Sequence, residues 1–331
     1  EEASYPWKVY VYHQESSGAT GDVFARVTTA SLSGSIQNGK TPVVEYKTQN
    51  ESTWTELSSS AVTVSGTSYS AEFSGLSAGT TYQYRVNIDG VAGTEQSFTT
   101  APAIPLENGG FENWNQNNGR WDPWGSSAQS FWGTGNRGSY IARQNITTPT
   151  DDAVLGRAAK LETKHILIKL AAGNIFAGDF ELDGLNGLLH FGRSFTSFPT
   201  ALRLYYKYTS EIVNEVNSDA PSYMETFRNK PDTCYIYIAL SDKTEPYEIR
   251  NDPNNRHLFD KNDANIIAYG EYQTGETVSS YQQITIPIEY RATNRTPRYI
   301  IIVCAASKYG DYYVGGEGST LWLDEMELVY E

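Results

Sequence analysis

Short stretches of alternating apolar and polar residues run through most of the chain, and residues typical of turns separate them. In residues 81–88, tyrosine, valine and isoleucine alternate with glutamine, arginine and asparagine, which is the period of a strand with one buried face. The first hundred residues show little of the 3.6-residue period of an amphipathic helix. The pattern therefore predicts an all-β protein.

The alternation predicts six strands in the first hundred residues and about eight longer, more aromatic strands after them. The first six are residues 8–12, 22–29, 42–48, 68–73, 81–89 and 95–100. The later strands are residues 157–162, 165–171, 201–209, 233–241, 266–272, 280–289, 298–307 and 321–329. Two long polar segments, residues 211–231 and 242–264, lie between them. Loops of this length in a compact domain are usually functional or disordered.

Two prolines close together, Pro102 and Pro105, interrupt the strand pattern in a short segment that suits a brief, stiff linker. The sequence therefore predicts two domains, residues 1–102 and 103–331. The longer strands and irregular polar connections of the second domain predict a double-sheet jelly roll with long loops.

In the first domain, Gly79 turns the chain and Tyr82 opens the next strand, as in the tyrosine corner of a Greek-key sandwich. A strand that ends SFTTAP follows at residues 97–102. Together these features resemble a fibronectin type III domain. The resemblance implies that residues 1–102 form a β-sandwich.

The charge of the chain narrows the choice of partners. Its 331 residues include 39 acidic and 25 basic side chains, which gives a formal net charge of −14 and a pI near 4.8. Such a chain repels phosphate backbones and anionic membrane surfaces. The longest apolar run, residues 299–306, is far shorter than the roughly 18 residues that span a bilayer. We expect no nucleic-acid partner and no transmembrane segment.

The two cysteines, Cys234 and Cys304, permit at most one disulfide bond. Each shares its strand face with isoleucines, which favours a role as a core hydrophobe. A disulfide between neighbouring strands is the alternative.

Aromatic residues make up 13% of the chain, which suits both β-sandwiches and sugar-binding surfaces. Sugars stack their C–H faces on Trp and Tyr rings and pair their hydroxyls with carboxylates and amides. One candidate surface is a Gly/Asn/Ser-rich stretch that carries Trp121, Trp124 and Trp132; the alternative is that these indoles anchor a loop to the sandwich.

A second candidate surface is the glycine-rich loop at residues 308–317, which carries Asp311, Tyr312 and Tyr313. Its alternative role is a strand connection whose tyrosine rings cover the end of a sheet. The two surfaces together give the predicted carbohydrate-binding residues.

Three motifs lie near the ends of the second domain: NGGFE at residues 108–112, GRAAKL at residues 156–161 and LDEMEL at residues 323–328. They resemble jelly-roll carbohydrate-binding modules. In such modules a carboxylate from the first segment and one from the last often hold a structural calcium ion. The resemblance therefore implies one Ca²⁺ bound by Glu112 and Asp324, both of which supply the oxygen ligands that calcium prefers. The alternative is that the two carboxylates only cap strand ends.

A more specific resemblance covers residues 105–331. Runs such as FWGTGNRG (131–138), KLAAGNIFAGDF (169–180) and CYIYIAL (234–240) are similar to the putative carbohydrate metabolism domain of exported Bacteroidetes lipoproteins. The resemblance implies a β-sandwich, a periplasmic or outer-membrane location and a link to glycan use. It implies no catalytic residues.

These observations predict a non-catalytic accessory protein that binds a polysaccharide or oligosaccharide within a bacterial glycan-utilisation system. Because the chain begins without Met, we expect that an export segment has been removed and that the protein is lipid-anchored through this removed N-terminal segment. Other glycan-utilisation proteins at the surface are expected partners. Two alternatives stay open: a glycoside hydrolase and a protein-binding scaffold. The candidate carboxylates of the hydrolase are Asp242, Glu245, Asp260 and Glu271.

Overall fold

The computed structural model describes residues 21–125 and 130–331, and the chain divides into two compact units, Glu1–Pro102 and Ala103–Glu331. Antiparallel strands build both units, which confirms the prediction of an all-β protein. Within the described residues the helical elements are short: one α-helical turn and four 3-10 turns. The strand predicted at residues 8–12 lies outside the described residues.

The described residues of the first unit form a pair of four-stranded sheets. Its strands are β1 (Gly21–Ala25), β2 (Ala30–Ser35), β3 (Pro42–Thr48), β4 (Thr55–Glu56), β5 (Val62–Ser65), β6 (Ser68–Phe73), β7 (Thr81–Ile88) and β8 (Gln96–Thr99). One sheet has the order β1-β2-β6-β5 and the other has the order β4-β3-β7-β8. The hydroxyl of Tyr82 accepts a hydrogen bond of 2.9 Å from the amide of Ser77, so this tyrosine closes a corner ahead of β7.

The described part of the second unit contains twenty strands. They are β9 (Asn115–Asn117), β10 (Arg120–Asp122), β11 (Trp132–Gly133), β12 (Thr147–Thr150), β13 (Ala158–Glu162), β14 (Lys164–Ile166), β15 (Lys169–Ala171), β16 (Asn174–Asp183), β17 (Asn186–Phe191), β18 (Arg193–Ser194), β19 (Ala201–Thr209), β20 (Glu215–Val216), β21 (Cys234–Ser241), β22 (Tyr247–Arg250), β23 (Ile266–Thr274), β24 (Val278–Pro287), β25 (Glu289–Tyr290), β26 (Tyr299–Ala305), β27 (Val314–Gly315) and β28 (Thr320–Val329). The α-helical turn, α1, spans Asn136–Ser139, and the 3-10 turns of this unit span Tyr140–Ala142, Ser222–Phe227 and Gly310–Tyr312.

Two large antiparallel sheets enclose the main core of this unit. The nine-stranded sheet has the order β22-β17-β16-β26-β21-β23-β25, with β11 beside β16 and β18 beside β26. The five-stranded sheet has the order β12-β13-β28-β19-β24. Inward-facing residues such as Ile238, Ile302, Leu204 and Leu323 are fully buried between them.

The nine-stranded sheet is apolar on its outer face as well. Tyr237 and Val303 alternate with the inward-facing isoleucines of β21 and β26 and belong to a second hydrophobic cluster with Phe176 and Phe191. Strands that read as nearly continuous apolar runs are buried on both faces. The outer face must therefore be covered by other parts of the unit, and these parts form the site described below.

Both thiols lie in the core and are free. Cys304 on β26 is in register with Ile236 on β21, so it does not face Cys234 directly. Burial raises the pKa of the Cys234 thiol to about 12. The two cysteines act as core hydrophobes, in agreement with the first interpretation of the sequence.

The NGGFE segment lies against the last strand. The amide of Met326 donates a hydrogen bond of 2.9 Å to the carbonyl of Gly109. A Cβ atom on Gly109 would lie 2.1 Å from the carbonyl oxygen of Met326, so any other residue would push the two segments apart. Phe111 follows and is fully buried in the main core.

Candidate functional site

A cavity of about 380 Å³ opens on the outer face of the nine-stranded sheet. Buried rings of Phe176, Phe191 and Tyr237 and the side chain of Val303 form its floor. This volume lies within the range of roughly 300–1,000 Å³ that is typical of small-molecule sites. An apolar floor with a few polar groups around it is also typical of such sites.

Three further elements make the walls of the cavity. They are the β14–β15 hairpin, the β16–β17 hairpin and the segment at residues 307–313 that follows β26. Aromatic side chains are numerous in these walls and at the floor: Phe176, Phe180, Phe191, Tyr235, Tyr237, Phe259, Tyr309, Tyr312 and Tyr313. The predicted residues Asp311, Tyr312 and Tyr313 are thus brought together at one cavity.

A tight 3-10 turn, Gly310–Tyr312, presents the polar and aromatic groups of the third wall. Gly310 is required by close packing, since a Cβ atom there would lie 2.4 Å from the Cβ atom of Ala172. Tyr313 ends the turn with a φ of 58°, in the left-handed region that ordinary residues rarely adopt. The turn is therefore held by its surroundings in a shape that an isolated loop would not keep.

The long polar segment at residues 211–231 supports this turn from behind. Val213, Met224 and Val314 form a small buried cluster against which Tyr309 and Tyr312 pack. The β20 strand of the segment pairs with β27. The predicted long loop is consequently an ordered buttress.

Two close contacts complete the support of the turn. The Phe227 ring lies 4.4 Å from the Tyr309 ring, centroid to centroid. The guanidinium of Arg256, from the other long segment at residues 242–264, lies 4.8 Å from the centre of the Tyr312 ring. Both long segments therefore fix tyrosine rings of the cavity wall.

Polar groups cluster within the cavity lining as two hydrogen-bonded sets. Asn251 donates a hydrogen bond of 3.1 Å from Nδ2 to Oδ1 of Asp311. The Tyr313 hydroxyl and the Lys169 ammonium donate to Oδ1 of Asn186 at 3.0 and 2.6 Å. The carbonyl oxygen Oδ1 of Asn251 is buried and has no hydrogen-bond partner within the described part of the chain. A buried acceptor of this kind loses free energy unless a ligand or water donates to it.

The environment of Asp311 disfavours its charge. Burial raises the pKa of its carboxyl, and the hydrogen bond from Asn251 and the positive charge of Arg256 oppose that change only in part. The residue nevertheless keeps partial solvent exposure because it borders the cavity. Its carboxyl is thus available to donate to or accept from a hydroxyl group in the cavity.

Among the described lining residues, Asp311 is the one carboxylic acid. None of the carboxylates considered for a hydrolase, Asp242, Glu245, Asp260 and Glu271, lines the cavity. Glycoside hydrolysis by the usual mechanism needs two carboxyl groups about 5–9.5 Å apart across the scissile bond.

Two of those four carboxylates have strong partners of their own. Arg295 binds Asp242 through two nitrogens, each at 2.6 Å. Partial burial acts to raise the pKa of Glu271, but hydrogen bonds from Lys261, Tyr235 and Tyr269 outweigh it and hold the pKa at about 2. A carboxyl held ionised in this way is a poor general acid.

The tryptophans lie elsewhere. Trp132 is fully buried in the main core and donates from its indole nitrogen to the carbonyl of Glu107 at 2.9 Å. It cannot offer a face to a sugar, so the assignment of Trp132 to a binding surface is corrected in favour of anchoring. Trp121 and Trp124 are half-buried and do not line the cavity. Their role in sugar binding stays a prediction, and residues 126–129 beside them lie outside the described residues.

The carboxylates predicted to hold calcium occupy the junction between the first and last segments of the unit. Asp324 is buried and accepts hydrogen bonds from the amides of Val154 at 2.6 Å, Leu155 at 3.0 Å and Glu325 at 2.8 Å. These donors satisfy much of the hydrogen-bonding capacity of the carboxylate. In the described part of the chain no group of three His, Cys, Asp or Glu side chains is arranged to hold a metal ion.

Negative charge nevertheless accumulates at this junction. Burial and then the charges of Asp324 and Glu112 raise the pKa of Glu325. Glu112 accepts a hydrogen bond of 3.0 Å from the amide of Arg157, in the loop that also contacts Asp324. The oxygen-only chemistry of these groups suits a hard cation. The calcium site stays a prediction.

The element that sequence reasoning missed is the β16–β17 hairpin, which supplies a floor and a wall of the cavity. The sequence does contain a pattern that predicts this hairpin. Asp183-Gly184 is a pair typical of hairpin turns, and apolar residues recur at even spacing before it, at Phe176, Phe180 and Leu182. Asn251 was also missed, since nothing in a polar loop sequence shows which asparagine will face a cavity.

The chain belongs to the family described as the putative carbohydrate metabolism domain, whose model matches residues 110–329. This confirms the family resemblance found in the second domain. A comparison with curated proteins finds no match.

Two solved structures are similar in fold. One is named a putative glycoside hydrolase from Bacteroides thetaiotaomicron; it is 17% identical, has a TM-score of 0.55, and the match covers 96% of this chain and 99% of that chain. Another is named a putative glycoside hydrolase from Bacteroides vulgatus; it is 21% identical, has a TM-score of 0.52, and the match covers 69% of this chain and 98% of that chain. At these identities the likeness shows the fold alone. No helix in residues 21–125 and 130–331 combines the length and apolar character of a membrane span.

Proposed function

We propose that residues 103–331 form a carbohydrate-binding domain and that the cavity beside Asp311 is its site. The observation that carries the proposal is the composition of the cavity lining, in which aromatic rings surround one cluster of carboxyl and amide groups. Rings stack on the C–H faces of a sugar, and the carboxyl and amides pair with its hydroxyls. The family to which the chain belongs supports a role in carbohydrate metabolism.

The binding role is proposed to be non-catalytic. A hydrolase needs a second carboxyl across the sugar from the first, and Asp311 has no such partner among the described lining residues. The bound sugar would instead pair its hydroxyls with the carboxyl and amide groups of the lining. In this role the protein serves a bacterial glycan-utilisation system as an accessory that holds polysaccharide or oligosaccharide.

A glycoside hydrolase is the second candidate, and the raised pKa of Asp311 favours it. Burial raises the pKa of this carboxyl, and a raised pKa makes a carboxyl better suited to act as a general acid toward a glycosidic oxygen. Release of reducing sugar from a bound glycan, lost on Asp311→Asn, would establish this candidate. A protein-binding scaffold is the remaining alternative. It would be supported by a protein partner recovered in a pull-down together with no binding to any glycan.

The proposal extends to location and to the first unit. We propose that the protein is exported to the periplasm or the outer-membrane surface and held there by a lipid anchor. The first unit, with its corner at Tyr82, is proposed to be a fibronectin type III-like spacer. Surface-exposed glycan-utilisation proteins are the proposed partners. Protease accessibility on intact cells and mass analysis of the natural N-terminus would test both points.

A glycan-array screen of the full chain tests the proposed function. The variants are Asp311→Asn and Tyr312→Ala at the cavity, with Trp121→Ala and Trp124→Ala as tests of the other surface. Asp260→Asn, an exposed carboxyl outside the cavity, is the matched control. We expect selective glycan binding that falls at least tenfold in the cavity variants and persists in the control. Loss of glycan binding in the tryptophan variants alone would place the site at the tryptophan surface. The absence of binding to any glycan of a broad array would reject glycan binding.

We further propose that Glu112 and Asp324 hold one structural Ca²⁺. The support is the convergence of these carboxylates at the junction of the first and last segments. Calcium should raise Tm, since a ligand that binds only the folded state stabilises it by mass action. A thermal scan in EDTA and in excess Ca²⁺ measures the effect, and Glu112→Gln should abolish it. Equal Tm values under both conditions would reject the site.

A further inference from the structure

Exposed aliphatic side chains are concentrated at the mouth of the cavity. In the described part of the second unit, nine large hydrophobic side chains are exposed, and five of them line the cavity. Those five are Ile141 (49% exposed), Leu167 (60%), Ile168 (69%), Leu182 (42%) and Leu185 (58%). Single exposed hydrophobes are normal, but a group around one opening marks a binding surface. We call these five residues the aliphatic rim.

Two hairpin tips carry part of the aliphatic rim, and one of them departs from ordinary turn chemistry. Leu167, at the tip between β14 and β15, has a φ of 54°, where asparagine or glycine is the usual residue. Leu185 follows Gly184 at the tip between β16 and β17. An exposed leucine at a left-handed turn position adds no stability to the fold that asparagine would not also give. Asparagine would adopt the same backbone conformation with less strain. Its side chain is therefore explained by what it contacts outside the chain.

The same cavity holds the polar cluster of Asp311, Asn251 and Asn186. A sugar alone would satisfy that cluster and leave the aliphatic rim in water. A lipid alone would cover the rim and leave the polar cluster without hydroxyl partners. The lining as a whole suits a ligand with a polar part and an apolar part.

We propose that the ligand is a carbohydrate that carries an apolar substituent, an acyl chain or an aryl group. Its sugar pairs with Asp311 and Asn251, and its substituent lies between the two hairpin tips against Leu167 and Leu185. This inference rests on the proposed function and names the substrate class of the same site. A bare membrane surface fits less well, because the aliphatic rim surrounds a cavity with buried aromatic walls.

Alkyl glycosides test the inference without knowledge of the natural glycan. Octyl and methyl β-glycosides of glucose, galactose and mannose are titrated into the full chain by calorimetry, below the micelle concentration of the octyl compounds. We expect at least one octyl glycoside to bind about tenfold or more tightly than its methyl counterpart. Burial of two methylene groups at about 0.8 kcal/mol each already accounts for a tenfold gain. Equal affinities of octyl and methyl compounds for all three sugars would overturn the inference.

Variants on exposed side chains separate the aliphatic rim from the rest of the fold. The double variant Leu167→Asn, Leu185→Asn removes two rim leucines, and asparagine suits the left-handed turn at residue 167. The matched control is Leu155→Asn, Ile212→Asn, two equally exposed residues that do not line the cavity. The rim variant should lose most of the octyl advantage and keep the methyl-glycoside or glycan-array affinity, whereas the control should keep both.

Two other outcomes separate this inference from the proposed function. Asp311-dependent glycan binding with no octyl advantage would retain the proposed function and reject the apolar substituent. Octanoate or octanol binding as tightly as the octyl glycosides would reject the carbohydrate part and leave an apolar site. Sedimentation with phosphatidylcholine vesicles that depends on Leu167 and Leu185 would assign the aliphatic rim to a membrane surface and overturn the inference.

Discussion

Two aspartates of the second unit, Asp232 and Asp311, show how similar side chains take different roles. Burial raises the pKa of both Asp232 and Asp311. Asp232 accepts hydrogen bonds from the amides of Thr233 and Gly316 and from the hydroxyl of Ser307. Asp311 accepts one side-chain hydrogen bond, from Asn251, and borders the cavity. The first holds the fold together, and the second is free to meet a ligand.

Asp232→Ala should destabilise the second unit. The substitution leaves three donors near the start of β21 and the end of β26 without their acceptor, so the free energy of unfolding should fall by about 3 kcal/mol. Urea unfolding followed by tryptophan fluorescence measures the change. Asp260→Ala, in an exposed loop, should alter it by no more than about 0.5 kcal/mol. Equal effects of the two substitutions would contradict this account of Asp232.

Asp311→Asn should have the opposite effect on stability. Because the folded-state pKa of Asp311 lies above its ordinary value of 3.8, its protonated form favours folding. That contribution is complete below the unfolded-state pKa and is lost as the pH rises through the raised folded-state pKa. At pH 7 the neutral asparagine, which still offers an oxygen to Asn251, should therefore raise Tm by about 2 °C.

Thermal scans between about pH 3 and pH 8 check this sign, since the advantage of Asp311→Asn should vanish at the acidic end. Glycan affinity at pH 7 should fall about tenfold in the same variant, because a hydrogen bond to a charged group is replaced by a weaker one. If Asp311→Asn lowered both the Tm and the glycan affinity, Asp311 would be a structural residue.

At the scale of elements, β19 and β16 show where prediction of strands from the sequence succeeds and where it fails. β19, with apolar residues at every second position, was predicted over the nine residues that it occupies. β16 has four buried residues in a row after Asn174 and ends with four that are mostly exposed, so no single period describes it. Sequence periodicity reports one buried face, and β16 changes its environment along its length.

The residues of the cavity show the same limit of prediction from the sequence. The sequence predicted a binding surface at Asp311, Tyr312 and Tyr313 because aromatic and acidic residues lie among glycines in one short loop. The aliphatic rim could not be predicted in this way, because an isolated leucine in a hairpin turn is indistinguishable in sequence from a leucine that packs locally. The prediction that Trp132 binds sugar was wrong because the sequence does not show whether an indole faces inward.

Phe227→Ala tests the buttress behind the tyrosine wall. Removal of the ring that lies 4.4 Å from Tyr309 frees that wall without touching the cavity lining. We expect glycan affinity to fall about fivefold with a loss of stability of about 1–2 kcal/mol, as for truncation of a half-buried aromatic side chain. Phe227→Leu, which keeps most of the apolar volume, should restore the larger part of both. Unchanged affinity in Phe227→Ala would show that the turn holds its shape without the buttress.

At the scale of the whole molecule, the two units differ in what they contribute. Every described residue that lines the cavity belongs to Ala103–Glu331, which also contains its own core and both large sheets. The first unit has a separate core built from residues of its own two sheets. Each unit thus meets the physical requirement for folding independently, a buried apolar core of its own.

The protein that begins at Ala103 should therefore fold alone and bind glycan with an affinity within about twofold of that of the full chain. Circular dichroism and a single cooperative thermal transition would establish folding, and the array hit titrated against both proteins would establish binding. The separate first unit, residues 1–102, should fold and bind none of the same glycans. If the isolated second unit folds but binds more than tenfold more weakly, then residues of the first unit contribute to recognition, and the site extends beyond the cavity described for the second unit.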